Sequence, residues 1–99
     1  MKGLITNLNK AFENRIRLGI MSVLMVNSEV DFKTMKETLD VSDGNLASHT
    51  SALEKHQYIS IEKRFIGKKP NTTYKVTPEG RDAFKNHLLA LETILNKGI

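Results

Sequence analysis

Lys63-Arg64-Phe65-Ile66-Gly67-Lys68-Lys69-Pro70-Asn71 is the run on which the reading of this chain turns. It holds four cationic side chains and no acid, whereas the rest of the sequence mixes both signs. Just before it, Tyr58-Ile59-Ser60-Ile61-Glu62-Lys63 alternates with period two, which predicts a strand. Just after it, Thr72-Thr73-Tyr74-Lys75-Val76-Thr77 is rich in β-branched and aromatic residues and predicts the hairpin partner. The run itself then reads as a basic loop, its tip shaped by Gly67 and Pro70 and braced by Phe65 and Tyr74.

Upstream, Leu46, Thr50 and Leu53 fall at i, i+4 and i+7, the stripe of a helix packed on a core, and Ser42 suits its N-cap. The other face of that helix, over about residues 42–56, is small or polar: Asp43, Gly44, Asn45, Ser48, Ser51 and Lys55. Asp40-Val41 makes a turn behind a helix containing Met35 and Leu39. Val30-Asp31-Phe32 alternates like a very short strand, and Asp31 serves equally as that helix's cap. Asn14 caps an earlier helix whose stripe of Ile16, Ile20, Val23 and Leu24 runs to about Val26. Leu4, Ile5, Leu8 and Phe12 predict a short amphipathic helical segment ahead of it. Thr77-Pro78-Glu79 starts the last helix, over about residues 78–96, with a hydroxyl cap, Pro at the first position and an acid at the positive dipole end. Helix, turn, helix and basic hairpin in that order define a mostly helical α+β fold, the winged helix-turn-helix, here one domain over residues 1–99. One helix would cross the DNA backbone, the helix at 42–56 would enter the major groove, and the wing at 58–77 would reach phosphates.

These segments resemble a family of small prokaryotic winged-helix transcriptional regulators related to the MarR and ArsR groups. The resemblance rests on Arg15-Ile16-Arg17-Leu18-Gly19-Ile20-Met21, Asp31-Phe32-Lys33-Thr34-Met35-Lys36 and Asp43-Gly44-Asn45-Leu46-Ala47-Ser48-His49. It continues through Leu53-Glu54-Lys55, the wing from Glu62 to Tyr74, and Val76-Thr77-Pro78-Glu79-Gly80-Arg81, so that it covers roughly residues 12–90. Two positions depart from the pattern. Gln57 stands where the helix-to-strand junction usually has Gly, which predicts a costlier backbone conformation or another turn. Thr50 stands where the core usually has Leu, which predicts a weaker anchor for the helix.

Ninety-nine residues, 39% hydrophobic and 26% charged, are those of an ordinary globule, and the net charge of +4 leans toward a polyanionic partner. The absence of Cys excludes disulfides, thiolate metal sites and thiol redox switches. Met1-Lys2-Gly3-Leu4-Ile5-Thr6-Asn7 lacks the apolar run of a signal peptide and no segment is long enough to span a bilayer, so a cytoplasmic protein without membrane contact is expected. His49 and His56 lie seven apart on one helix face, but with His87 they are the only histidines, and no metal site is expected. No nucleophile–base pair, phosphate-binding glycine loop or paired carboxylates appear, so neither catalysis nor a cofactor is expected.

The expected DNA contacts are Ser42, Gly44, Asn45, Ser48, His49 and Ser51 on the helix and Arg64, Lys68 and Lys69 on the wing. Asn45 suits a bidentate contact to adenine, Gly44 permits close approach, and Ser42 with its helix N-terminus suits a phosphate. Asp43 would repel phosphates and is expected to cap backbone amides or accept from cytosine. Phe84, Leu88, Leu91 and Leu95, spaced four, three and four, form an a/d seam, and Leu4, Leu8 and Phe12 also need cover. Together they predict a two-fold dimer, as the resemblance also implies. The expected function is a homodimeric, sequence-specific regulator of transcription on double-stranded DNA, most often a repressor in such families. The competing expectation is a winged-helix module that binds protein and uses no specific DNA. A small-molecule effector would have to sit at the dimer interface, and no residue pattern identifies one.

Overall fold

The computed structural model describes residues 3–97. A single 3-10 turn (Lys10–Phe12) leads into α1 (Arg15–Met25), β1 (Val30–Asp31), α2 (Phe32–Leu39), α3 (Asp43–Lys55), β2 (Ile59–Ile66), β3 (Lys69–Val76) and α4 (Pro78–Asn96). Each α-helix begins on a side chain that accepts from its first turn. Asn14 takes the amides of Ile16 and Arg17, Asp31 that of Thr34, Ser42 that of Asn45 and Thr77 that of Gly80. Such caps are worth about 0.5–2 kcal/mol apiece, because the first-turn amides otherwise lack partners. Asp31 does both jobs expected of it, pairing in β1 and capping α2.

The helix ends are equally local. Asp40 adopts φ 53° after α2, and Val41 returns its amide to Lys36 O, which turns the chain into α3. Gln57 sits at φ 63° after α3, while Tyr58 N–H bonds Leu53 O at 3.0 Å and Gln57 N–H bonds Glu54 O at 2.8 Å. That is a Schellman closure with Gln in the left-handed position glycine normally takes.

The sheet has strand order β1-β3-β2, all antiparallel. Here the wing differs from expectation. The basic run is not a nine-residue loop; Ile59↔Val76 through Ile66↔Lys69 are paired, which leaves only Gly67-Lys68 as the turn. Gly67 at φ 64° supplies the first residue of a two-residue hairpin at no steric cost. Pro70 pairs with Phe65, one step from the turn. In the alternating antiparallel ladder that position points its nitrogen away from β2, toward an edge β1 does not reach, so no ladder bond is lost. Phe65 braces nothing at 73% exposure, whereas Tyr74 is buried in the core at 2%.

The core lies between α1, α2, α3, the base of the hairpin and the first half of α4. Ile20, Met21, Leu24, Met35, Leu46 and Leu53 are fully enclosed, joined by Phe12, Ile59, Tyr74 and Phe84. Thr50 is buried with them, and its hydroxyl donates to Leu46 O at 2.8 Å, so the polar atom is satisfied within its own helix. Gly80 is buried where α4 starts: a Cβ there would lie 1.9 Å from Tyr58 O. The same carbonyl accepts from Thr77 N–H at 3.0 Å, so α4 is seated directly on the backbone leaving α3.

Two further expectations are corrected. Residues 3–8 run through turns instead of an amphipathic helix. Asn9 explains the break, because its side chain caps the 3-10 turn, its amide bonds His87 Nδ1 at 2.9 Å, and its Nδ2 donates to Tyr58 Oη at 3.0 Å. Phe12 and Phe84, assigned by spacing to a dimer seam, meet edge-to-face within the protomer at 5.2 Å and are 2% and 4% exposed. They belong to the protomer's own core. Leu4 and Leu8 are half-buried, whereas Leu88, Leu91 and Leu95 remain exposed at 45%, 45% and 74%.

Candidate nucleic-acid interface

α3 turns Leu46, Thr50 and Leu53 inward and is thereby held with its opposite face open. Ser42, Asp43, Gly44, Asn45, Ser48, Ser51 and Lys55 are all exposed on or at the start of it, as the stripe predicted. Ser42 Oγ is already engaged, accepting from Asn45 N–H at 3.1 Å. A Cβ on Gly44 would meet nothing within 4 Å, so no contact inside the protein requires glycine there. Asp43 caps no amide. It pairs with Lys36 of α2 at 2.6 Å across the turn, and that bond and charge raise the Lys36 ammonium above its usual pKa.

His49 differs from the other predicted contacts in being half-buried. Its Nδ1 lies 3.1 Å from Arg17 Nη1 of α1, and Arg17 Nε donates to Ala11 O at 2.6 Å. Partial burial, and then the Arg17 charge, hold the imidazole below the ordinary histidine pKa. The three histidines go to separate places: His49 to Arg17, His56 stacked on Tyr58 at 5.3 Å, and His87 under the N-terminal turns.

The wing carries its cations in two ways. Arg64, an expected DNA contact, is engaged within the protein: its Nη1 meets Glu62 at 3.1 Å and its Nη2 meets Glu29 at 3.4 Å, with Lys75 3.7 Å from Glu29. Period two puts Glu62 and Arg64 on one face of β2, and Glu29 arrives from the segment entering β1. These pairs are about half-exposed and individually weak, but they neutralise Arg64 and tie the hairpin's base to the helical body. Lys63, Lys68 and Lys69 are exposed and form no ion pair among the described residues. An open small-and-polar helix face beside a projecting hairpin with unpaired lysines suits a polyanion with a groove, since lysines neutralise phosphates and the helix face can meet base edges.

Residues 16–95 match the family described as a winged helix DNA-binding domain. The chain belongs to that family. An uncharacterised protein of Methanocaldococcus jannaschii is 34% identical over 79 residues, covering 80% of this chain and 86% of that protein. A transcriptional regulator homologue from Pyrococcus horikoshii OT3 superposes with a TM-score of 0.88 at 28% identity, covering 98% of this chain and 97% of the other. A MarR family transcriptional regulator from Streptomyces coelicolor, solved in complex with DNA, shares the fold at a TM-score of 0.68 and 14% identity, over 97% of this chain and 67% of that one. The winged helix-turn-helix architecture therefore stands as the sequence implied, and the MarR family structure shares that fold.

Sequence reasoning missed Arg17, Glu29 and Lys36 as partners of the interface. Arg17 and His49 are 32 positions apart and Arg64 and Glu29 are 35 apart, so no local pattern announces either contact. Lys36–Asp43 was within reach, because an N1 acid facing a last-turn lysine across a three-residue connection is a short-range pairing.

Proposed function

We propose that the protein is a homodimeric regulator of transcription that binds a two-fold-related site in double-stranded DNA and acts as a repressor. The observation that carries the reading is the pairing of the open face of α3 with the unpaired lysines of the wing, in a chain of the winged helix DNA-binding family. Asn45, Ser48 and Ser51 supply base-edge or phosphate contacts, with Gly44 allowing close approach, Ser42 and the start of α3 near the backbone, and Lys68 and Lys69 on phosphates. Arg64 reaches phosphate only by exchanging its carboxylate partners.

Two features support a homodimer. One winged helix makes few contacts, whereas two read half-sites about one helical turn apart. The second half of α4 also leaves Leu88, Leu91 and Leu95 exposed, with Leu18 of α1 beside Leu88 and Leu91, and a second copy's α4 would cover that stripe. Leu8 lies on the other side of α4, beside Leu89, Ala90 and Thr93.

Selection of duplexes from a random pool, followed by binding titrations at several salt concentrations, tests the reading. A preferred site with inverted symmetry is expected, with affinity falling steeply as salt rises. Asn45→Ala should cost about 1–3 kcal/mol on that site and relax one or two base positions. Salt-independent binding, or no enrichment over the random pool, would refute the proposal and leave the alternative of a protein-binding module. Derepression of a reporter downstream of the selected site when the protein is removed tests the repressor assignment.

A further inference from the structure

Arg17 is held at two points. Its Nε donates to the carbonyl of Ala11, a buried residue of the 3-10 turn, at 2.6 Å, and its Nη1 lies 3.1 Å from His49 Nδ1. A guanidinium is always a donor and has no lone pair to offer. The contact therefore requires His49 Nδ1 to be the acceptor, so the ring is neutral and its proton resides on Nε2. Nε2 has no partner among the described residues and is not one of the enclosed, unpartnered polar atoms, of which Thr73 Oγ1 is the example. His49 lies one helical turn beyond Asn45 on the same side of α3, within the segment proposed to face DNA.

We propose that Arg17 is a positioning residue that fixes His49 as a hydrogen-bond donor, through Nε2, to an acceptor on bound DNA. The inference rests on the DNA-binding reading and adds a direction to one of its contacts. An unrestrained neutral imidazole exchanges tautomers and can donate or accept through Nε2; one clamped by Arg17 can only donate. It then donates to purine N7, guanine O6, thymine O4 or a phosphate oxygen, and cannot accept from the amino groups of adenine and cytosine. Burial and the neighbouring guanidinium also disfavour the imidazolium, which keeps the Nδ1 contact intact. Arg17 thus acts on DNA recognition through His49 without itself needing to touch the duplex.

The first experiment needs no DNA. Long-range proton–nitrogen NMR spectra of the full chain at neutral pH should show His49 with a bare Nδ1 and a protonated Nε2. Arg17→Met, which keeps the aliphatic stem, should return mixed tautomers, and Arg17→Lys should restore the single form. A wild-type ring protonated on Nδ1, or an Arg17→Met spectrum like wild type, overturns the inference. The second experiment uses the duplex selected by the wild-type protein. Arg17→Met and His49→Ala should each weaken binding about tenfold, a single directed hydrogen bond's worth, and the double variant should be no weaker than either. Additive losses would make Arg17 an independent phosphate contact and overturn the positioning role. Replacing guanines and adenines by their 7-deaza analogues, guanines by 2-aminopurine, thymines by 5-methyl-2-pyrimidinone, and phosphates by methylphosphonates, removes each acceptor in turn and locates the one used. One modification should weaken wild type and leave His49→Ala unaffected. If no position of any of these kinds behaves so, His49 donates to none of them and the inference fails. Failure of the wild-type protein to bind any duplex would instead refute the DNA-binding reading itself, with the tautomer result still standing for the Arg17–His49 contact.

Discussion

Replacing Gly80 by Ala should destabilise the fold strongly, although the same change ordinarily strengthens a helix. Ala is favoured over Gly by about 1 kcal/mol at a helical position free of other contacts. At Gly80 the added Cβ would lie 1.9 Å from Tyr58 O, 2.7 Å from its carbonyl carbon and 2.8 Å from its Cα. All three are backbone atoms, so no side-chain rotation relieves the clash, and ordinary contact requires the chains to separate by more than an ångström. That separation pulls on the bonds seating α4: Thr77 N–H to Tyr58 O at 3.0 Å, Thr77 Oγ1 to Gln57 O at 2.6 Å and Gly80 N–H to Thr77 Oγ1 at 2.9 Å. Loss of two or three hydrogen bonds at about 1 kcal/mol each, with looser packing of Phe84, outweighs the propensity gain and leaves a net loss of about 2–4 kcal/mol. Urea unfolding followed by far-ultraviolet circular dichroism reads the difference from the midpoint at constant m-value. Gly44→Ala is the internal control, because a Cβ there meets nothing within 4 Å and the change should be neutral or stabilising by up to about 1 kcal/mol. A Gly80→Ala protein as stable as wild type would refute the seating of α4 on the Tyr58 carbonyl.

Neutralising Lys68 and Lys69 together as Gln should weaken binding to every duplex and shallow the log–log salt slope by roughly one to two units per protomer; an unchanged slope in a folded variant removes the wing tip from DNA contact. Leu91→Glu places a charge at the centre of the uncovered α4 stripe, beside its symmetry mate in a dimer, and should yield monomers by analytical ultracentrifugation with loss of tight binding to the selected two-fold site. An intact Leu91→Glu dimer would move the interface elsewhere. His49 has a folded pKa below the ordinary 6.5, so the unfolded chain takes its proton first. Stability from this group is therefore full above about pH 6.5 and declines as the pH falls from there toward the folded value, a decline that His49→Gln should remove. Thermal melts of both proteins between pH 7.5 and about pH 5 check the sign, and parallel curves would contradict it.

What could be read from the sequence was local. Asn14, Asp31, Ser42 and Thr77 announce helix starts because a cap acts within three residues of itself. The strain expected at Gln57 is present because a Schellman closure demands a left-handed residue whatever its type. The nine-residue loop was misread because clustered lysines resemble a loop by composition, while Gly67 alone suffices to turn two long strands. Heptad spacing on α4 could not separate Phe84, which is buried against Phe12 of the same chain, from Leu91, which stays 45% exposed: periodicity identifies an apolar stripe and not its partner. The clamps on His49 and Arg64 were illegible for the same reason, since the sequence shows each residue and not the fold that brings Arg17 or Glu29 to it.

The outer half of the hairpin has a second physical consequence. β1 pairs with β3 only at Thr73 and Tyr74, so from Lys63–Thr72 outward neither margin of the ribbon has a further strand partner among the described residues, with Phe65 and Ile66 exposed along it. A bare ribbon with apolar side chains is a template on which another copy can add strands without limit. Pro70 withholds a donor from one margin, and Lys63, Lys68 and Lys69 repel their counterparts on an approaching hairpin. Lys68 and Lys69, proposed above to meet phosphates, would thus also keep the free protein dispersed at low salt. DNA, by neutralising them, would lift that protection only where the ribbon is already occupied.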